Sequence, residues 1–253
     1  MTRQFENKIV AITGGSEGIG FATAKLFASE GAQVYVTGRR QERLDEAVKA
    51  IGNGAVGIQG DVGIQGDVGN GADLDRLYAR IKRDHGRLDV VFANAGISES
   101  APLGALDEAH FDRLFGTNIK GLIFTVQKAL PLMTAGSSVI LTGSVVGSKG
   151  LPSLSIYSAT KAAIRSFART WTTDLKSRGI RVNVVSPGMI HTPAMQTYLQ
   201  NNAGAEDALK QMTPLERLGQ AEEVAKAVLF LASSDSSFIA GEELFVDGGF
   251  VAV

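Results

Sequence analysis

IVAITGGSEGIG, residues 9 to 20, runs an apolar stretch into a glycine-crowded turn and then into the start of a helical pattern. Ile9 to Ile12 read as a strand buried on both faces, and Thr-Gly-Gly ends it in a tight turn. From Ile19 to Ala28 the apolar residues fall at helical spacing. A strand, a glycine turn and a helix start in this order make a cradle for a pyrophosphate. Glycine lets the backbone come close, and the free N–H groups at the positive end of the helix dipole face the anion. The spacing is G-x-x-x-G-x-G, and the candidate cofactor contacts are Gly14, Ser16, Gly18, Ile19 and Gly20. A glycine turn alone is only a turn; its flanking strand and helix give it the cofactor reading.

The same rhythm continues along the chain. QVYVT precedes a helical pattern at Leu44 to Ile51, LDVVFA precedes a long one at Phe111 to Met133, and SSVILTG precedes one at about Tyr157 to Arg178. RVNVVS, a helix near Ala221 to Ala232 and ELFVD close the series. Strands that are apolar throughout belong in a parallel sheet covered on both faces. The expected fold is therefore α/β: a doubly wound Rossmann fold of about seven strands, with residues 1–253 forming one dinucleotide-binding and catalytic domain. In such sheets ligands lie beyond the carboxyl ends of the strands.

Bulk composition narrows the function classes. With 44% hydrophobic and 20% charged residues the chain should pack a large core. A formal net charge of -1, without runs of Lys or Arg, argues against a nucleic-acid partner. The chain has no cysteine, so it has no disulfide or thiolate chemistry, and a reducing compartment is favoured. His85, His110 and His191 are scattered and read as surface or loop residues, so no metal site is expected. No apolar leader or membrane span is evident, so the cytoplasm is the default location.

Two strand ends refine the cofactor. After QVYVT comes TGRR, Thr37 to Arg40: Gly38 stands where a carboxylate would meet ribose hydroxyls, and Arg39 follows. A guanidinium without that carboxylate suits a 2′-phosphate, so NADP is favoured over NAD, with Arg39 and Arg40 as candidate contacts. Glu17 in the glycine turn argues the other way, because its charge falls near the same phosphate. LDVVFA ends in ANAG, where Asn94, Ala95 and Gly96 allow close passage of an adenine and ribose, unless the stretch is merely a strand end.

Tyr157 and Lys161 stand four residues apart, on one face of a helix. Tyr78 and Lys82 repeat the spacing. Only the first pair follows a strand, VILTGS, whose end can aim the Ser144 hydroxyl at the same point; Gln65 stands at the equivalent place before Tyr78, and that pair reads as a helix-surface pair. A phenol ordinarily titrates near ~10, and a nearby ammonium and a positive nicotinamide ring would favour its phenolate. It could then exchange a proton with a carbonyl or alcohol oxygen held by Ser144. Asn118, polar within an apolar helical stretch, either caps a kink or interrupts the helix to hold a water; a satisfied buried amide is the plainer alternative.

TGGSEGIG, NAG at Asn94 to Gly96, Asn118, Ser144, Tyr157, Lys161, PGMIHT at Pro187 to Thr192 and VDGG at Val246 to Gly249 occur in an order that resembles the short-chain dehydrogenase/reductase family. The likeness runs over nearly the whole chain. It implies that Asn118, Ser144, Tyr157 and Lys161 form a catalytic tetrad with a water relay through Asn118. It further implies that Lys161 bonds the nicotinamide ribose, that Ile190 and Thr192 contact the nicotinamide amide and the pyrophosphate, with Pro187 and Gly188 beside them, and that the protein is a homotetramer. Ile123, Phe124, Val126, Phe167 and Trp171 are candidates for a shared interface.

A hexapeptide occurs twice, Gly57 to Val62 and Gly63 to Val68. Two copies cannot build a solenoid, so the doubling reads as a tandem insertion. In the resembling family one Asp-Val ends the third strand, the Asp meeting the adenine amino group and the next backbone a ring nitrogen. Asp61 and Asp67 compete for that place, and a slip of six keeps every side chain on its own face. Asp67 with Val68 is favoured, because the surplus then lengthens a far loop, where insertions are cheap.

Residues 193–212 stand where that family carries a substrate lid. Val146, Leu151, Leu154, Met189, Met195 and Leu199 suggest apolar walls for an uncharged ketone or secondary alcohol. One alternative is 3-oxoacyl-carrier-protein reduction, with Lys128, Arg165 and Arg169 as docking charges. Another is a cofactor-sensing binding protein without turnover.

Overall fold

The computed structural model describes residues 3–61 and 71–253. In chain order its elements begin with β1 (Ile9–Ile12), α1 (Gly18–Ser29), β2 (Gln33–Gly38), α2 (Gln41–Ile51), β3 (Val56–Gln59), α3 (Ala72–His85) and β4 (Leu88–Ala93). They continue with α4 (Glu108–Phe115), α5 (Leu122–Ala129), β5 (Met133–Thr142), α6 (Ser155–Asp174), β6 (Arg181–Pro187), β7 (Ile190–His191), α7 (Pro193–Asn201), α8 (Ala205–Gln211), β8 (Gly219–Gln220), α9 (Ala221–Ala232) and β9 (Glu243–Val246). Among the described residues, seven strands form one parallel sheet in the order β3-β2-β1-β4-β5-β6-β9. This is the expected doubly wound sheet.

Strand pleating decides which residues serve which layer, because alternate side chains point to opposite faces. Ile9 and Ala11 of β1, with Val91 and Ala93 of β4, pack against Leu74, Leu77, Leu122, Val126 and Ile164 of α3, α5 and α6. Val10 and Ile12, with Val90 and Phe92, pack against Phe27, Leu44, Val224 and Val228 of α1, α2 and α9. Both faces are covered, which is why these strands lack polar alternation.

The structure corrects several expectations. The stretch 111–133 is not one helix. A π-helical segment, Gly116–Gly121, separates α4 from α5, and after α5 a 3₁₀ turn at Leu130–Leu132 carries Pro131. Proline cannot supply an intrahelical N–H, and Met133 already belongs to β5. Tyr78 is not a surface residue: it is 6% exposed, packs in the core, and its hydroxyl donates to the Thr125 carbonyl at 2.6 Å. His110 is buried too, with Nδ1 3.4 Å from Glu99 Oε2. Val126 lies in the inner core rather than on an outer face, whereas Phe124, Phe167 and Trp171 are partly buried. No described helix is long and apolar enough to cross a membrane.

Candidate active site

The carboxyl ends of β1, β2 and β4 and the N-terminus of α1 surround a cleft of about 340 Å³. Its floor is tied together by Thr13, whose hydroxyl accepts the backbone N–H groups of Asn94 (3.1 Å) and Ala95 (3.2 Å). In return the Asn94 amide donates to the carbonyls of Thr13 and Gly14, both at 3.1 Å. Asn94 thus braces the glycine turn, a role that sequence reading missed. Two glycines are needed here for close approach. A Cβ on Gly20 would lie 2.1 Å from the Gly14 carbonyl oxygen, and one on Gly38 would lie 2.9 Å from Ser16 Oγ. A side chain at position 38 would therefore require Ser16 to shift.

Gly14, Ser16, Ile19 and Arg39 line this cleft at one end. Asp61, Asn94, Ala95 and Gly96 line its flank, and Tyr157, Lys161 and Thr192 its far end. Glu17 also faces it and pairs with Arg40 at 2.8 Å, while Arg40 itself points outward, its side chain 64% exposed. Gly18 packs on Thr192, with a Cβ position 3.5 Å from that side chain. Pro187 ends β6, Gly188 donates its N–H to the Val246 carbonyl (3.0 Å), and Ile190 is buried in β7; these three stand beside Thr192 and not on the cleft wall. Asp61 lies two residues past β3, with its backbone N–H donating to Asp73 Oδ2 at 2.9 Å. Asp67 and Val68, favoured from sequence, lie outside the described residues, as does Gln65.

At the far end β5 and α6 bring a hydroxyl, a phenol and an ammonium together. Ser144 follows β5 and caps the 3₁₀ turn Val145–Gly147. Its hydroxyl lies beside the Tyr157 phenol, close enough to lower that group's pKa, and accepts the Val146 N–H at 3.4 Å. Lys161 lies one turn along α6, 5% exposed, with Nζ 5.6 Å from the Tyr157 ring centre and donating to the Thr142 carbonyl at 2.8 Å. Burial pushes the phenol above its ordinary value, and the Ser144 hydroxyl pulls it part of the way down. Burial also lowers the Lys161 ammonium, to about 8. The sequence reading made Lys161 the group that acidifies the phenol. In the structure its ammonium is engaged with Thr142, and the downward pull on the phenol comes from Ser144.

Asn118 lies inside the π-helical segment, 1% exposed. Its Oδ1 accepts the Ile97 N–H at 2.8 Å, and its Nδ2 donates to the Ile97 carbonyl (2.9 Å) and to Thr160 Oγ1 (3.2 Å). The amide is thus satisfied within the chain, at a point where the helix changes its winding. Val146, Leu151, Leu154 and Met189 gather around Tyr157 with Val145 and Phe250, whereas Met195 and Leu199 lie on α7 outside that group. Lys128 is paired with Asp75, and Arg165 reaches Ser148 (2.7 Å) and Glu243 (3.5 Å), so these two expected docking charges already have partners within the chain.

A family model described as enoyl-(acyl carrier protein) reductase matches residues 14–251. The oxidoreductase asL5 of Sarocladium schorii is 48% identical, over 99% of this chain and 98% of its own. A 3-oxoacyl-acyl-carrier-protein reductase of Thermotoga maritima is 39% identical, over 98% and 99%. The chain is a short-chain dehydrogenase/reductase. Among solved structures, a member of this family from Brucella melitensis described as a glucose/ribitol dehydrogenase is 31% identical, with a TM-score of 0.91 over 99% of both chains. As a short-chain dehydrogenase/reductase the protein is an oxidoreductase acting on CH–OH groups, and its family implies a nicotinamide cofactor. The cleft suits such a cofactor, since the glycine turn meets the N-terminus of α1 where a diphosphate needs N–H groups.

Proposed function

We propose that this enzyme interconverts an uncharged ketone and a secondary alcohol, with Tyr157 as proton donor and acceptor and with NADP as the preferred cofactor. The observation that carries the reading is the convergence of Ser144, Tyr157 and Lys161 at one end of the dinucleotide cleft. Gly14, Ser16, Gly18, Ile19 and Gly20 hold the diphosphate, Asn94 to Gly96 and Asp61 the adenosine, and Thr192 the nicotinamide end, with Pro187, Gly188 and Ile190 supporting it from behind. The bound cofactor supplies or accepts the hydride. Ser144 holds the substrate oxygen, and Tyr157, kept protonated by burial, donates to that oxygen during ketone reduction. In the oxidative direction the same phenol must lose its proton, so alcohol oxidation rises with pH. Lys161 keeps a positive charge beside the phenol at neutral pH, and Asn118 fixes both backbone groups of Ile97 on the cleft wall.

NADP preference is supported at position 38, where glycine stands in place of a carboxylate and packs close to Ser16, and by Arg39, which lines the cleft. Glu17 is neutralised by Arg40 rather than left facing the phosphate alone. The apolar group around Tyr157 favours an uncharged substrate, and residues 193–212, which carry α7 and α8, are its lid. Phe124, Phe167 and Trp171, partly buried, with the last two rings stacked at 5.1 Å, fit a helix-paired homotetramer in the cytoplasm. The name of the Thermotoga relative favours a second reading, a 3-oxoacyl thioester as the ketone.

Steady-state rates with NADPH and NADH across neutral ketones, charged ketones and a 3-oxoacyl thioester test the proposal. Neutral ketones should turn over with NADPH, and Tyr157→Phe should lower kcat about 10²- to 10⁴-fold. Arg39→Ala should raise the NADPH KM about tenfold and leave NADH unmoved. Turnover of charged ketones alone, or an undiminished Tyr157→Phe rate, would overturn it.

A further inference from the structure

Ser144 opens the 3₁₀ turn Val145–Gly147, and the chain leaves it through Ser148 and Lys149, whose N–H groups both donate to the Val145 carbonyl (3.0 and 2.9 Å). Lys149 then reaches across the fold. Its ammonium donates to the backbone oxygens of Phe250 (2.7 Å) and Val253 (2.6 Å) and lies 4.7 Å from the Phe250 ring centre. From the other side the Asp247 carboxylate accepts the N–H groups of Gly249 (2.9 Å) and Val251 (2.8 Å). One cation and one anion therefore fix the backbone of residues 247–253.

What they fix is apolar and next to the chemistry. Phe250, 2% exposed, packs on Val145 and Val146, with Leu151, Leu154, Met189, Val251 and Tyr157 around it. Apart from the Tyr157 hydroxyl the group is hydrocarbon and thioether, so its shape is set by packing and by what holds the terminal segment. Charge-assisted bonds to carbonyls are stronger than neutral ones and fix position as well as energy.

We infer that Lys149 is a positioning residue that sets the depth of the substrate pocket: it holds the buried Phe250, with Val251, as the backing of the apolar residues beside Tyr157 against which the hydrophobic substituent of the carbonyl compound rests. The inference depends on the ketone–alcohol reading above. It makes residues five positions beyond Ser144 and at the far end of the chain joint determinants of substrate size.

The test uses the full-length enzyme with NADPH and the methyl ketones 2-butanone to 2-decanone, together with amide hydrogen exchange of residues 249–253. In Lys149→Met the KM for the longest ketones should rise about tenfold, the worth of about two buried methylenes, while KM and kcat for 2-butanone move about twofold at most. The 249–253 amides should exchange about tenfold faster, with the β1 and β4 amides unmoved. Lys149→Arg should restore both. Phe250→Ala should shift the optimum to longer chains by deepening the pocket. Equal losses at every chain length, or unchanged exchange at 249–253, would overturn the inference. Absence of turnover by the unsubstituted enzyme across the series would sink the functional reading and the wall with it; turnover with a flat response to Lys149→Met sinks the wall alone.

Discussion

Lys161→Met separates what a buried ammonium does for chemistry from what it costs the fold. Burial holds the Lys161 ammonium at about 8, against its ordinary 10.5. The gap corresponds to about 3 kcal/mol at ~1.4 kcal/mol per unit, present in full below the folded value, where both states carry the proton. Between about 8 and 10.5 the unfolded chain binds more protons than the folded one, so stability contributed by this site rises with pH. Methionine keeps the length of the side chain and removes the titration. It also leaves the Thr142 carbonyl without its 2.8 Å donor, a loss of ~1–3 kcal/mol that does not depend on pH. The two effects nearly cancel at pH 7, so the slope is the diagnostic quantity. Urea unfolding of both proteins at several pH values should show the wild type gaining about 2.5 kcal/mol on the variant between pH 7 and 10. Other titrating groups drop out of the difference. A flat difference, or one that falls with pH, would refute the claim that burial dominates at Lys161. On the proposed mechanism the variant also loses turnover at every pH.

Asn118→Ala removes the partner of both backbone groups of Ile97, and should destabilise the protein by about 3 kcal/mol in chemical denaturation; a change under ~0.5 kcal/mol would mean the amide is idle. Gly20→Ala drives a Cβ into the Gly14 carbonyl and should abolish cofactor binding measured by calorimetry, whereas Gly104→Ala, with nothing within 4 Å, should shift stability by less than ~1 kcal/mol. Deleting residues 63–68 gives the same chain as deleting either hexapeptide copy. Because Asp61 N–H is pinned to Asp73, and Arg76 to the Gln59 carbonyl (2.8 Å), the shortened enzyme should bind its cofactor within about threefold of the original; loss of binding would show that the doubled copy is required.

Most of the sheet was legible because β1, β2, β4 and the second half of β5 are largely apolar runs followed by a helical pattern or a turn, whereas β3, Val-Gly-Ile-Gln, is too short and mixed to stand out. α9 falls at Ala221–Ala232, as its periodicity indicates, since no residue there competes with the helix. The long helix failed for two reasons. Pro131 gives a local stop that its apolar neighbours mask, and a change from α to π winding leaves no mark in residue types. The burial of Tyr78 was available in the sequence: Leu74, Leu77, Tyr78 and Ile81 stand at i, i+3, i+4 and i+7, the spacing of a buried stripe. The placement of Ser144 near Tyr157 could be anticipated from a strand end facing a helix start. The bracing of the glycine turn by Asn94, the Glu17–Arg40 pair and the engagement of Lys128 and Arg165 could not, because each depends on distances between elements far apart in the chain.

The wide turn at Gly116–Gly121 also answers a matter of phase. His110, Leu114, Asn118, Leu122 and Val126 are all buried and follow one another at steps of four. On an unbroken α-helix each such step overshoots a full revolution by about 40°, and the seam would swing out to solvent before Val126. A slower winding in the middle resets the rotation. The loosened backbone that lets Asn118 grip Ile97 thus also keeps the buried faces of α4 and α5 in phase, α4 towards α6 and α5 towards β4, so a one-residue indel there would unseat both together.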